Sequence, residues 1–424
     1  MLRQDSKYRN YVQILKEELV PAMGCTEPAA IACASARARQ ILGRRPEKVL
    51  VEVSGNIVKN VKSVLIPNTG GLKGIKAAAA AGIVAGKPEK YLEAIAEVSR
   101  EQKQEIGEFL KNIPIEVRLA DTPRVFEIRI EVRAQDSRAK VCVVDAHTNI
   151  VLEEKDGTVL YEKTGAEQAE RETDRSLLNV ADIIDFADTV DLADVRGILE
   201  PQIRYNSAIS REGLERSYGA NIGRILLKSY GSDIRQRAKA AAAAGSDARM
   251  GGCGLPVIIV SGSGNQGITA SMPVVEYAKE YGADGETLLR ALVLSDLVAI
   301  HLKSGIGKLS AYCGVVSAGA AAGAGIAYLD GGRGEAISHT IVNALAIVSG
   351  IVCDGAKPSC AAKIASAVDA GIFGYEMYKN GDQFYGGDGF VAKGVENTIR
   401  IINRIGKEGM RDTDREIIQI MLEE

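Results

Sequence analysis

The period of the hydrophobic pattern changes twice along the chain, and this limits the possible folds more than any other feature. From about residue 46 to 165, apolar and polar residues alternate with a period of two and are rich in Val and Ile, as in KVLVEVS, VFEIRIEVRA and KVCVVDA. This pattern predicts antiparallel strands with one wet face. On both sides of this stretch, apolar residues recur at the spacing of amphipathic helices.

Together these patterns predict an α+β protein in which a Gly/Ala-rich all-helical catalytic domain carries an inserted α+β domain with a mainly antiparallel sheet. The predicted divisions are N-terminal helices at 1–44 that pack with the helical domain, an inserted domain at 45–168 and the helical domain at 169–424. A chain of 424 residues is long enough for two domains. Many of its 45 glycines accompany alanine in the second half, so we expect the helices there to pack closely.

Charge and composition exclude several classes of protein. The formal net charge is −3, and no basic run of the kind that binds nucleic acid is present. The N-terminus lacks the apolar segment of a secretory signal, and no stretch reaches the ~20 strongly apolar residues of a membrane span. We therefore expect a cytoplasmic protein without nucleic-acid or membrane partners, and a homodimer is the candidate oligomer.

The loop SGSGNQG at 261–267 carries glycines at G-x-G-x-x-G spacing. A dinucleotide fingerprint also requires a second strand after the helix, and the sequence shows none, so nicotinamide binding is not favoured. Glycines before a helix can still present backbone N–H groups to an anion such as a carboxylate. A plain tight turn explains the loop equally well.

Seven cysteines are present, and they are not spaced like a disulfide framework. Cys33 and Cys142 lie within apolar patterns, which is typical of small buried side chains. They therefore serve as controls for the remaining thiols.

Four other cysteines stand in contexts suited to chemistry. Cys25 and Cys360 each lie at a predicted helix start, where a thiolate is stabilised over a thiol. Cys353 lies in a loop and Cys313 at the head of a Gly/Ala helix. Their spacing matches neither zinc ribbons nor bacterial ferredoxins, so spacing alone favours unrelated thiols.

Four longer motifs resemble the L-cysteine desulfidase family, which is related to the iron–sulfur L-serine dehydratases. They are PAMGCTEPAA at 21–30, SGSGNQGITASMPV at 261–274, HLKSGIGKLSAYCG at 301–314 and GIVCDGAKPSCAAKIASA at 350–367. The similarity runs over nearly the whole chain, and the second half resembles the dehydratase alpha-subunit domain.

The resemblance implies a 4Fe-4S cluster held by Cys313, Cys353 and Cys360. Three thiolates leave one iron open, as a catalytic metal site requires. Cys25 could be a further ligand or a catalytic thiol. We favour the catalytic role, because a fourth thiolate would close the open iron, and we expect the helix start to lower its pKa.

The resemblance also suggests further site residues. The catalytic candidates besides Cys25 are Glu27, His301 and Lys303. The candidates for substrate binding are Thr26, which is also a possible N-cap, and the loop residues Ser263, Gly264, Asn265, Gln266 and Gly267. A first-turn carboxylate and a polar pair near a helix end are the plain alternatives for Glu27 and for His301 with Lys303. His147 is expected to be an ordinary residue of the α+β domain.

The activity that the resemblance implies is β-elimination of L-cysteine, the small-molecule substrate, to pyruvate, ammonia and sulfide, with the open iron as Lewis acid. One alternative is an iron–sulfur L-serine dehydratase on the same fold. Another is a non-enzymatic iron–sulfur sensor, which the glycine loop and the lack of a DNA-reading motif argue against. No lysine stands in a recognisable pyridoxal-phosphate context.

Overall fold

A computed structural model describes residues 1–163, 173–307 and 309–423. The helices are α1 Ser6–Glu18, α2 Thr26–Leu42, α3 Gly55–Val61, α4 Gly74–Ala85, α5 Arg100–Asn112, α6 Val180–Thr189, α7 Leu192–Glu215, α8 Ile222–Tyr230, α9 Ile234–Met250, α10 Gly264–Tyr281, α11 Gly285–Ser304, α12 Gly314–Leu329, α13 Gly334–Ile347, α14 Cys360–Lys379, α15 Val395–Arg404 and α16 Arg411–Glu423. The strands are β1 Pro21–Met23, β2 Lys48–Val53, β3 Ile115–Leu119, β4 Glu127–Ala134, β5 Ser137–Val144, β6 Ile150–Lys155, β7 Thr158–Glu162 and β8 Pro256–Ile258.

Six of these strands form one sheet with the order β3-β2-β4-β5-β6-β7. Only β2 and β3 are parallel, and every other neighbouring pair is antiparallel. Alternate residues of β2, namely Val49, Val51 and Val53, are fully buried, and α2 packs on the sheet at β4, β5 and β6. The expectation of an α+β fold with a mainly antiparallel sheet is confirmed.

The two N-terminal helices pack in different places. Helix α1 contacts α7 and α11 of the helical part, whereas α2 packs on α4 and on β4 and β5 of the sheet. Arg37 of α2 also forms an ion pair of 2.7 Å with Glu153 of β6. The expected packing of 1–44 with the helical domain thus describes α1 but not α2. The boundary at 168/169 lies outside the described residues, and the division into domains stays a prediction.

Helix α12 lies among α10, α11, α13 and α14, and glycines let it approach α14 closely. A Cβ on Gly371 of α14 would lie 2.1 Å from the carbonyl oxygen of Gly319, and a Cβ on Gly319 would lie 2.4 Å from that of Ala367. The two backbones therefore touch where the side chains are absent. No helix in the described part of the chain is long and apolar enough to cross a membrane.

The helical spacing of apolar residues at 211–229 predicts one helix, but the structure divides this stretch between two. Helix α7 continues to Glu215, and α8 begins at Ile222 after Asn221 adopts a left-handed conformation with φ of 56°. Asparagine tolerates this conformation better than most residues, so it can interrupt a helical pattern. Helix α7 also starts earlier, because the carboxylate of Asp191 caps it by accepting from Ala193 N.

The contact between α12 and α14 yields a stability prediction. Gly371→Ala should lower the free energy of unfolding by about 1–3 kcal/mol, because the new methyl group overlaps the Gly319 backbone. The control is Gly197→Ala in α7, whose added Cβ meets nothing within 4 Å and should raise stability by about 0.5–1 kcal/mol. Urea unfolding of both variants measures this, and equal effects would contradict the packing described.

Candidate active site

A short pairing between distant segments builds the first wall of the site. Strand β1 pairs antiparallel with β8, with Pro21 opposite Ile258 and Met23 opposite Pro256. Gly24 follows with φ of +62°, and a Cβ there would lie 2.3 Å from Pro67 Cγ, so only glycine fits. The chain then enters α2, which places Cys25 at the helix N-cap beside the glycine loop that follows β8.

The first turn of α2 presents a hydrogen-bonded group of side chains. The thiol of Cys25 donates to Glu27 Oε2 at 3.0 Å, and Asn60 Nδ2 of α3 donates to Glu27 Oε1 at 3.0 Å. Thr26 Oγ1 lies 2.9 Å from the carbonyl oxygen of Gly262 in the glycine loop. Thr26 is therefore the first helical residue, not the expected N-cap, and it ties α2 to the loop.

His147 reaches the same carboxylate from the turn between β5 and β6. Its Nε2 lies 3.7 Å from Glu27 Oε1, which is too long for a hydrogen bond. Nε2 is buried and has no hydrogen-bond partner among the described residues. The ring packs edge-on against Phe126, with 4.9 Å between ring centroids. The expectation that His147 is an ordinary residue of the sheet domain is thus not met.

Burial and hydrogen bonding set the charges of Cys25 and Glu27. Burial would raise the pKa of Glu27, but His147 and the thiol of Cys25 outweigh it and lower that pKa to about 2. Burial and the Glu27 charge raise the pKa of Cys25 well above its ordinary value. The expected lowering by the helix start is therefore wrong, because desolvation of a thiolate outweighs the helix dipole here. Burial likewise raises the pKa of Cys360.

The glycine loop presents side chains as well as backbone. Asn265 Oδ1 accepts from Arg249 Nη1 at 3.0 Å, and Arg249 Nε donates to the carbonyl oxygen of Gly24 at 2.9 Å. Gln266 Oε1 is buried without a hydrogen-bond partner among the described residues. Gly267 has a packing role instead, since a Cβ there would lie 2.0 Å from Ile258 O.

Two of the three expected cluster ligands, Cys313 and Cys353, lie next to a short antiparallel bridge between their two segments. Tyr312 pairs with Val352, Cys313 N donates to Ile351 O at 2.9 Å and Cys353 N donates to Ala311 O at 2.6 Å. Residues on either side of a bridged pair point to the opposite face from that pair. Cys313 and Cys353 therefore share one face, and the interaction between their thiols lowers the pKa of Cys353 and raises that of Cys313, which burial raises further.

Buried cations lie near these thiols. Lys303 is 3% exposed, and burial lowers its pKa to about 8 against the opposing effect of Cys353 and Cys313. Lys59 of α3 is also buried and forms an ion pair with Asp414 of α16. A Cβ on Gly355 would lie 2.2 Å from Lys59 O, so the loop after Cys353 rests directly on α3.

These groups border one cavity of about 90 Å³, here called the central cavity. Of the residues expected at the site, those that line it are Cys25, Thr26, Glu27, Ser263, Asn265, Gln266, Cys313, Cys353 and Cys360. Gly264, Gly267, His301 and Lys303 do not line it. His301 instead bonds Glu396 of α15, with 2.8 Å between Nε2 and Oε2.

Sequence reasoning missed three residues that line the central cavity, Asn60, His147 and Arg249. Each lies outside the recognised motifs, and only the folded chain brings it to them. Asn60 stands next to Lys59, and Arg249 stands near Asp247. Because both have polar neighbours, the sequence holds no signal that separates them from surface residues.

The cysteines fit the iron–sulfur cluster that the motifs imply. Among the described residues, no three His, Cys, Asp or Glu side chains are close enough to share one metal ion. A four-iron cluster instead takes one thiolate per iron, so its ligands stand further apart. Three thiols bordering one cavity are the soft donors that such clusters select.

The charge of Glu27 predicts a pH-dependent stability. Its folded-state pKa lies below the unfolded value, so its contribution is present above about pH 4.5 and is lost as the pH falls toward 2. Glu27→Gln should therefore cost on the order of 2–3 kcal/mol at pH 7 and clearly less at pH 3. Urea unfolding of the iron-free protein measures both values. Exposed Glu335→Gln, the control, should change stability by less than about 0.5 kcal/mol, and an equal loss at both pH values for Glu27→Gln would contradict the assignment.

Comparison with known proteins agrees with this picture. The family profile described as "Serine dehydratase alpha chain" matches residues 89–419. A UPF0597 protein of Desulfitobacterium hafniense (strain Y51) is 62% identical over 424 residues, which cover 100% of this chain and 98% of the relative. A UPF0597 protein of Lachnoclostridium phytofermentans is 51% identical over 98% of this chain and 100% of its own length. One of Treponema denticola is 48% identical over 99% of both chains. This chain belongs to the serine dehydratase alpha chain family, among its UPF0597 relatives.

Proposed function

We propose that this protein is a cytoplasmic L-cysteine desulfidase, a lyase that converts L-cysteine and water to pyruvate, ammonia and hydrogen sulfide. The observation that carries the proposal is the placement of Cys25, hydrogen-bonded to Glu27, in the same cavity as Cys313, Cys353 and Cys360. Every cysteine of the chain is a free thiol, which suits a reducing compartment.

Cys313, Cys353 and Cys360 would hold a 4Fe-4S cluster. When bound, such a cluster supplies an open iron that acts as a Lewis acid toward the leaving sulfur. Lys59 and Lys303 place positive charge near Cys353, which favours the thiolate form that ligation needs.

Different side chains of the cavity would act as the proton donor and as the base. Cys25 is held as a thiol by burial and by Glu27, so it can donate its proton to the departing sulfur. Glu27 is a poor base because its partners hold its pKa at about 2. We assign the base for the Cα proton to His147, because its Nε2 forms no hydrogen bond with the described residues and carries a lone pair when the ring is neutral with its proton on Nδ1.

The resulting step is an elimination. The Cα–H bond breaks toward His147, the Cβ–S bond breaks with its electron pair going to sulfur, and a double bond forms between the two carbons. The imidazolium that forms lies beside the Glu27 carboxylate, 3.7 Å from Oε1, which stabilises it. The aminoacrylate product then takes up a proton at Cβ and is hydrolysed to pyruvate and ammonia.

An L-serine dehydratase is the second candidate, and the match to the serine dehydratase alpha chain profile favours it. The two substrates differ only in the leaving atom. Sulfur is a softer ligand for iron than oxygen, and the buried thiol of Cys25 suits a sulfur leaving group. Turnover of L-cysteine against L-serine decides between the candidates.

The ligand set predicts a pattern of cluster loss. Cys313→Ala, Cys353→Ala and Cys360→Ala should each abolish cluster assembly, because each removes one of three thiolates. Cys33→Ala and Cys142→Ala are the controls, since neither residue lines the central cavity. Iron and acid-labile sulfide are quantified after anaerobic purification. Full iron content in Cys360→Ala would remove it from the ligand set.

The role of Cys25 predicts activity loss without cluster loss. Cys25→Ala should retain most of the iron yet lower the rate of sulfide release by roughly 10²–10⁴-fold, the usual contribution of a positioned proton donor. The wild type should turn over L-serine poorly. An empty cluster site in Cys25→Ala would make this residue a ligand, and faster turnover of L-serine than of L-cysteine would establish the dehydratase.

A further inference from the structure

The central cavity contains a buried positive charge that the elimination chemistry leaves unused. Arg249, in the last turn of α9, is 3% exposed and borders the cavity. Its two hydrogen bonds go to neutral acceptors, the carbonyl oxygen of Gly24 and the side-chain oxygen of Asn265. No carboxylate of the described residues forms an ion pair with it. A buried guanidinium without a counter-charge is costly, so it indicates an anionic ligand.

Two motifs of the sequence are shaped around this guanidinium. A Cβ on Gly264 would lie 2.4 Å from Arg249 Nε and 2.6 Å from Val257 Cγ2, so glycine leaves room for the Arg249 and Val257 side chains. Gly24, with φ of +62°, turns its carbonyl oxygen toward Nε. Gly264 and the backbone carbonyl of Gly24 thus both lie against this one charge.

We propose that Arg249 binds the α-carboxylate of the substrate and thereby restricts the site to free α-amino acids. This inference rests on the proposed lyase function and names its specificity residue. The planar guanidinium can hold a carboxylate through two parallel hydrogen bonds. Glu27 supplies a buried negative charge in the same cavity, so the pair of charges complements the zwitterion of an amino acid.

The test compares substrates with and without the carboxylate charge on the anaerobically purified full-length enzyme. The wild type should favour L-cysteine over L-cysteinamide, its uncharged amide, by roughly 100-fold in kcat/KM. Arg249→Gln should raise KM for L-cysteine by a similar factor, leave kcat within about tenfold and abolish the preference. Arg249→Lys should restore part of it. Iron and sulfide content should stay at the wild-type level in both variants.

A second pair of variants, one change and its control, tests the position of the guanidinium without removing it. Gly264→Ala should displace Arg249 and raise KM for L-cysteine about tenfold. Gly285→Ala is the matched control, since Gly285 is also the first residue of a helix, α11, and an added Cβ there meets nothing within 4 Å. Its KM should equal that of the wild type.

Three results would overturn the assignment. They are a persistent preference for L-cysteine in Arg249→Gln, an unchanged KM in that variant, and loss of iron in it, which would make Arg249 a counter-charge for the thiolates. If the wild type turned over neither L-cysteine nor L-serine, the proposed function would fail separately. Stabilisation of the wild type by L-alanine but not by L-alaninamide, lost in Arg249→Gln, would still support carboxylate binding. Equal stabilisation by both would refute it.

Discussion

The pairing of Pro21–Met23 with Pro256–Ile258 is the contact on which the site depends. Three residue pairs join segments that are more than half the chain apart. They set the point at which α2 begins, which decides where Cys25, Thr26 and Glu27 stand relative to the glycine loop. The bond from Thr26 to the carbonyl oxygen of Gly262 and the bond from Arg249 to that of Gly24 close the same junction from both sides. A shift of one residue in this short ladder would turn its side chains to the other face.

Around this junction the protein buries two opposite charges that do not pair with each other. Glu27 accepts hydrogen bonds from Asn60 and the Cys25 thiol. His147 lies beside it, and the histidine and the thiol lower the pKa of Glu27 despite burial and keep it ionised. Arg249 has only neutral hydrogen-bond partners. Burial of Arg249 weakens folding, because the guanidinium loses its hydration without gaining a counter-charge. A ligand carboxylate would supply that charge, so affinity for it and this cost to folding have the same origin.

The sequence predicted those parts that depend on local pattern. Alternation of Val and Ile indicated the sheet, and the cysteine motifs indicated Cys313, Cys353 and Cys360, which line one cavity. It did not predict residues whose role arises from tertiary contact, such as His147, which lies more than 100 residues from Glu27 along the chain. The expectation of a lowered pKa for Cys25 was wrong for a related reason. A helix start favours thiolate locally, but burial and the neighbouring carboxylate are properties of the folded protein, and they dominate.

Under our proposal, leaving-group specificity has a definite place in the chain. The match to the serine dehydratase alpha chain profile begins at residue 89, so it includes the three clustered thiols, His147 and Arg249 but not Cys25, Glu27 or Asn60. The matched part therefore contains what any α-amino acid substrate requires under our proposal, namely a carboxylate site, a base and the thiolate ligands. The unmatched part contributes Cys25, the thiol that would face the leaving group. If sulfide and hydroxide elimination are alternatives on one fold, the difference between them should lie in these first residues of α2 and in Asn60, which holds Glu27 in place.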